Sequence, residues 1–209
     1  MTIQASRQYE DAAALLRPLE SGLEASLEAL RRRLAVDAEG EGLLDIAYRV
    51  VDSPLGRLLL AATEAGVVRV AFELEDHQAV LQRLADSVGP RILEAPERLD
   101  DAARQLDEYF TGRRRQFQLP VDFRLSRGFR LDVLHHLPEI AYGSTESYAQ
   151  VARAAGSPNA VRAVGTACAT NPLPVIVPCH RVVRSDGSFG GYLGGMEAKR
   201  TLLELEAAA

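Results

Sequence analysis

Cysteine occurs only twice in the 209 residues, at Cys168 and Cys179, so no disulfide framework holds this chain together. With four histidines and no Cys or His pair at zinc-ligand spacing, the sequence also argues against a metal site. No apolar run approaches the roughly 20 residues of a membrane-spanning helix, because Arg, Glu or Pro breaks each candidate. Met1 to Glu10 lacks the basic-then-apolar pattern of a secretion signal, and a reducing cytoplasm is the expected location. Lysine is nearly missing, Lys199 being the only one among 24 cationic residues. The net charge of -5 argues against a polyanionic partner until its distribution is read. Up to Val121 there are 15 basic against 21 acidic residues, whereas Asp122 to Arg200 carries 9 against 6. The basic surplus lies in the C-terminal half. Internal repeats and low-complexity tracts are absent, and 47% hydrophobic with 25% charged residues is the composition of a folded globular protein.

Residues 1–42 stand apart as a helical extension: Leu16, Leu19, Leu23, Leu27, Leu30 and Leu34 recur at threes and fours. Pro18 and a Ser21/Glu24 capping box predict two helices, about 7–17 and 22–35, before a Glu39-Gly40-Glu41-Gly42 linker. The stripe is short for a coiled coil, which favours packing on the chain's own body over dimerisation. From 43 to 121 the pattern is that of a small α+β domain. Runs at Ile46 to Val51, Arg57 to Ala62 and Val67 to Phe72, separated by Asp52-Ser53-Pro54-Leu55-Gly56 and Glu64-Ala65-Gly66, predict a three-stranded antiparallel meander. Helices are predicted at about 76–87 and 97–111, and Arg113-Arg114-Arg115 reads as a solvated surface. Residues 122–209 form a mostly helical C-terminal domain, with helices at about 126–137, 145–155, 159–169 and 196–206. The pair around Gly156-Ser157-Pro158 has the shape of a helix-turn-helix.

The chemistry concentrates at Asn171-Pro172-Leu173-Pro174-Val175-Ile176-Val177-Pro178-Cys179-His180-Arg181-Val182-Val183. Three prolines around an apolar run fix the backbone ahead of the Cys-His pair. A thiol acts as a nucleophile only as its thiolate, and His180 and Arg181 are the adjacent groups able to lower its pKa. Adjacency is poor evidence for a direct dyad, since neighbours on an extended chain point apart. Cys168, in an Ala-rich helix, reads as a buried structural thiol. The loop Ser185 to Gly195 is dense in glycine without the Lys-Ser/Thr of a P-loop. Glu206 falls near the end of the last helix, where an acid opposes the helix dipole, which hints at a partner elsewhere.

Pro178-Cys179-His180-Arg181-Val182-Val183, with Arg162-Ala163-Val164-Gly165, Asn171-Pro172, Gly190-Gly191-Tyr192 and Gly194-Gly195, resembles the O6-alkylguanine-DNA alkyltransferase family. The likeness runs from about Asp45 to Glu206 and includes Leu106-Asp107-Glu108-Tyr109-Phe110-Thr111-Gly112 and Ile140-Ala141-Tyr142-Gly143. The resemblance implies a single-turnover repair protein. It would move a methyl or alkyl group from O6 of guanine, or O4 of thymine, in duplex DNA onto Cys179, without a cofactor. It implies catalytic roles for Cys179, His180, Glu206, Asn171 and Tyr148, with Glu206, His180 and a water relaying the thiol proton. It assigns the base pocket to Tyr148, Val182, Leu193 and Tyr192. On the same likeness Arg162 would enter the base stack, and Ala160, Ala163 and Gly165 would permit close approach of the helix-turn-helix to the minor groove. The expected partner is double-stranded DNA containing O6-alkylguanine, met by a monomer. The competing reading is a lesion-sensing or transcription-regulating DNA-binding protein of the same fold. A cysteine hydrolase fits less well, since it must release its acyl group and turn over.

Overall fold

The computed structural model describes residues 23, 26, 27 and 29–208. Packing divides the chain into two units, Met1–Leu44 and Asp45–Ala209. In the first, residues 29–40 are helical, so the helix runs beyond the predicted end at 35. Arg33 and Asp37 pair at the i, i+4 spacing along it, and Gly42 ends it at φ +66 with Leu43 N–H donating to Ala38 O at 2.8 Å. The leucines Leu23, Leu27, Leu30 and Leu34 are exposed. The helix expected over 7–17 and the Ser21/Glu24 capping box lie outside the described residues.

The second unit is α+β. The meander is present as β1 (Ile46–Val51), β2 (Leu58–Thr63) and β3 (Gly66–Phe72), paired antiparallel. A fourth strand, β4 (Ile92–Glu94), joins parallel to β1 and gives the order β3-β2-β1-β4. At three residues it is too short for a periodicity to be read. The helices are α1 (His77–Ser87), α2 (Asp100–Phe110), α3 (Phe129–His136), α4 (Tyr148–Ala154), α5 (Val161–Ala169) and α6 (Gly195–Ala207). A short parallel pair, β5 (Glu146–Ser147) with β6 (Val182–Val183), takes the first residues of the predicted 145–155 helix, which therefore starts at a Ser147/Gln150 capping box.

Strand β2 is buried along its whole length because both faces of the sheet are covered. Leu59 and Ala61 face one cluster with Val80 and Leu84 of α1. Leu58, Leu60 and Ala62 face the larger core, which is continuous from the sheet through α2 to α3, α4, α5 and α6. The edge of β3 is not left open: Val67 exchanges backbone hydrogen bonds with Pro120 and Asp122, and Val70 N–H donates to Pro172 O at 2.8 Å. Gly66 makes the first approach possible, since a Cβ there would overlap the Pro120 carbonyl. The sheet edge therefore holds both the connection between the chain halves and the start of the Asn171–Val183 segment. Among the described residues no helix is long and apolar enough to cross a membrane.

Candidate active site

Asn171, fully buried, organises the proline-rich segment. Its Oδ1 accepts the Leu173 N–H at 2.9 Å, and its Nδ2 donates to Val177 O at 2.8 Å and to Cys179 Sγ at 3.2 Å. Val177 N–H closes the turn onto Leu173 O at 2.8 Å. Inside that turn Val175 sits at φ +72, a left-handed conformation that a β-branched residue takes only when its surroundings impose it. The prolines and the Asn171 side chain thus fix the backbone that delivers Cys179.

Cys179, His180 and Arg181 form one 3-10 turn, and all three are buried. Burial pushes the Cys179 thiol up to about 11, against the Asn171 hydrogen bond and the Lys199 charge, which pull it down. It rests as a thiol. His180 and Cys179 share no hydrogen bond, as their adjacency suggested; His180 Nε2 instead meets Glu206 Oε1 at 2.9 Å, and Nδ1 has no protein partner. Burial holds the imidazole below its usual range, hence neutral. Glu206, the acid at the wrong end of a helix, has its partners here. Arg181 donates to both of its oxygens, Nε to Oε2 at 2.9 Å and Nη2 to Oε1 at 2.9 Å, and Gly143 N–H reaches Oε2 at 3.2 Å. Burial alone would raise this carboxyl, but hydrogen bonds from His180, Arg181 and Tyr109 outweigh it and hold it at about 2. Arg181, read from the sequence as a group able to lower the thiol pKa, is 5% exposed and committed to Glu206 and to the Ile140 carbonyl at 2.6 Å. It is not available to DNA.

Two further participants are given no role by the sequence, although Tyr109 lies within the Leu106–Gly112 run and Lys199 is the single lysine. Tyr109 of α2 is fully buried and donates its hydroxyl proton to Glu206 Oε1 at 2.6 Å. Lys199 of α6, also fully buried, donates to the Val182 carbonyl at 2.5 Å and lies 5.9 Å from the centre of the Phe189 ring. Burial lowers the pKa of its ammonium.

The glycine-dense loop closes over this floor. A Cβ on Gly190 would overlap the Tyr148 hydroxyl, and one on Gly194 would meet the Phe72 ring, so both glycines are demanded by close approach. Tyr148 opens α4 and is half-buried; burial and the two nearby thiols raise its pKa, so the phenol remains protonated. Tyr192 lies edge-on to Phe72 at 5.7 Å and to His180 at 6.4 Å. Leu193 borders a 450 Å³ groove with Arg69, Pro172 and Ala169. Cys168 is buried in α5 and burial raises its pKa.

Helices α4 and α5 pack together across a six-residue turn in which Gly156 has φ +76. The outer face of α5 presents Arg162, Ala163, Thr166 and Ala169 to solvent, with Ala160 capping its start and Gly165 half-buried. Val164, Ala167 and Cys168 fill the inner face. The site residues thus fall into two groups, a buried polar floor and an exposed small-residue helix carrying one arginine. Of the three arginines after α2, Arg113 and Arg114 pair with Asp107 and Glu108, and Arg115 lies over the Tyr142 ring at 5.7 Å. Among the described residues no group of three or more His, Cys, Asp or Glu side chains is arranged to hold a metal.

Comparison with known proteins gives two family matches. Residues 46–123 match the ribonuclease-like domain of 6-O-methylguanine DNA methyltransferase, and residues 128–208 match its DNA binding domain. The chain is 39% identical over 161 residues to a methylated-DNA--protein-cysteine methyltransferase of Mycolicibacterium paratuberculosis, covering 77% of this chain and 92% of that protein. It is similar to the crystal structure of Mycobacterium tuberculosis O6-methylguanine methyltransferase, with a TM-score of 0.69 at 36% identity, over 78% of this chain and 93% of the other. The Mycobacterium tuberculosis OGT in complex with DNA is similar at a TM-score of 0.68 and 37% identity, with the same coverage of both chains.

Proposed function

The chain belongs to the 6-O-methylguanine DNA methyltransferase family, and from that premise we propose that it repairs duplex DNA by moving the alkyl group of O6-alkylguanine onto its own Cys179. The observation that carries this reading is the buried Cys179 thiol, held by Asn171, beside a neutral His180 bonded to an ionised Glu206. In the transfer the sulfur forms a bond to the alkyl carbon, the carbon–O6 bond breaks, and its electron pair returns to the guanine ring. The thiol proton passes through a water to His180 Nδ1, Tyr148 gives its phenol proton to a ring nitrogen of the departing base, and the proton taken up by His180 returns through solvent to restore the phenol. Atoms balance as alkylcysteine plus guanine, so the protein is consumed once and no cofactor enters.

The resting thiol near 11 sets the energetic problem: forming a thiolate at neutral pH costs about 5 kcal/mol. A neutral imidazole whose far nitrogen faces a carboxylate is the arrangement that meets it, since Glu206 stabilises the imidazolium as it forms. The base must leave the stack to reach a buried sulfur, which costs a few kcal/mol. We assign Arg162 to the space it leaves, and Ala160, Ala163 and Gly165 to close approach of α5 to the minor groove, with α4 and α5 acting as the helix-turn-helix. We assign Val182, Tyr192 and Leu193, with Tyr148, to the pocket for the extruded base. In this reading 43–121 supports the site, 122–209 binds DNA and accepts the alkyl group, the body works as a single copy, and the protein acts in the cytoplasm. Regulation of transcription without repair is not favoured, because nothing in such a role calls for the complete set of thiol, base and acid.

The test is intact-mass measurement after incubation with a duplex containing O6-methylguanine. A single added methyl mapped to Cys179, missing in Cys179→Ala while that variant still binds the duplex, is the expected result. Modification of Cys168, or of no residue, overturns the assignment.

A further inference from the structure

Glu206 has more hydrogen-bond donors than a relay acid requires, and one comes from an unexpected place. Tyr109 belongs to α2, in the half of the chain that holds no reacting group, and its hydroxyl reaches across 97 residues of sequence to Glu206 Oε1 at 2.6 Å. The Tyr109 oxygen also lies 3.4 Å from His180 Nε2. Its ring is clamped by Phe110, Phe117 and Tyr142, with centroids 5.5, 5.2 and 6.0 Å away, so the hydroxyl has little freedom to turn elsewhere.

The direction of each proton follows. Burial and the Glu206 charge push the phenol pKa up, so Tyr109 stays protonated, and its single hydrogen goes to the carboxylate. Its oxygen then offers only lone pairs toward His180. Nε2 of His180 therefore faces two electron-rich oxygens, Glu206 Oε1 at 2.9 Å and Tyr109 Oη at 3.4 Å. A bare Nε2 lone pair there would repel both, whereas an N–H satisfies them. A neutral imidazole carries one hydrogen, so placing it at Nε2 leaves the lone pair at Nδ1, the nitrogen without a protein partner.

We propose that Tyr109 is a positioning residue of the proton relay: its hydroxyl anchors Glu206 and holds His180 in the tautomer whose Nδ1 is the base. This deepens the repair reading and rests on it for its consequence in catalysis. It also gives the N-terminal half a part in the reaction, since the sheet and α2 hold one of the three groups that define the relay.

The experiment uses the full chain with Tyr109→Phe, which keeps the ring and its aromatic neighbours and deletes one oxygen. Single-turnover methyl transfer from an O6-methylguanine duplex is expected to slow about 10-fold, a fraction of the roughly 100- to 10,000-fold that general-base catalysis supplies, with duplex affinity unchanged. In a Glu206→Gln background the same substitution is expected to change nothing further, because the two act as one unit. In the free protein, 15N chemical shifts of the His180 ring should report a hydrogen at Nε2 in wild type and a mixed population in Tyr109→Phe. A wild-type rate in Tyr109→Phe, a full additional loss on Glu206→Gln, or an unaltered tautomer overturns the proposal. A wild-type protein that leaves Cys179 unmodified overturns the repair reading instead, and the ring shifts still decide what Tyr109 does.

Discussion

Glu206 shows how one side chain ties the acid stability of the molecule to its chemistry. Its folded pKa of about 2 lies below the ordinary 4.5, so its contribution is complete above about pH 4.5 and is lost as pH falls toward 2. The difference amounts to about 3 kcal/mol, a large part of the stability of an ordinary domain. His180 adds an earlier stage with the same sign: burial lowers its folded pKa from 6.5, and the unfolded chain gains a proton below that value. Denaturant unfolding followed from pH 7 to pH 3 should therefore show stability falling below about 4.5, whereas near 6.5 the loss from His180 is opposed by His136, whose pKa, against the effect of burial, is raised by Glu146 and Glu139. Glu206→Gln should be less stable at pH 7, because Arg181 loses its buried partner, and should have a flatter profile below 4.5. Parallel profiles for the two proteins would show that the acid transition belongs to other groups. The sequence carries half of this arrangement: an acid near a helix C-terminus is visibly out of place, but the partners that explain it lie 25, 26, 63 and 97 residues away.

Among the elements, the glycine-dense loop and α4 are fitted to each other at Gly190 and Tyr148. Gly190→Ala places a methyl group where the phenol lies, so either the loop or the tyrosine must shift, at a cost of about 1–3 kcal/mol. The expected outcome is a lower melting temperature and much slower methyl transfer, with binding to undamaged duplex unaltered because α5 is untouched. Equal transfer rates would mean that Tyr148 does not work from this position. Which elements are legible in the sequence follows from their length and periodicity. The meander Ile46–Phe72 has clear alternation and turn residues, and α1, α5 and α6 have apolar faces and breakers at their ends. The strand Ile92–Glu94 has neither the length nor the pattern, and β5 hides inside a helical signal at Glu146–Ser147. Tyr109 reads as one more apolar-face aromatic on a helix, since nothing local distinguishes a core tyrosine from one with a buried acid to serve. Lys199 is similar. Cys179, Asn171 and His180 are legible because three prolines and a Cys-His pair are rare together, and their roles came through likeness to a family.

At the scale of the whole molecule, an acidic protein meets a polyanion through a local surface. Arg153, Arg162 and Arg184 are exposed in the C-terminal half, whereas Arg181 is withdrawn into the site. With Arg162 assigned to the base stack, phosphate contacts from Arg153 and Arg184 predict a slope of roughly -2 for log K against log salt. Residues 1–42 carry 5 arginines against 8 acids, so a chain lacking them should keep that slope and bind slightly more tightly. A several-fold loss of affinity at fixed salt would make the extension part of the DNA interface. The single lysine has a use of its own. Lys199 is 0% exposed, so an amine-directed ester added to the folded protein finds no lysine side chain open to it. A label on Lys199 then counts openings of its surroundings, which include Phe189 and α6, with no background from other lysines. A bound O6-methylguanine duplex should slow that label if the glycine-dense loop closes on the bound DNA; an unchanged rate would place the opening elsewhere in the fold.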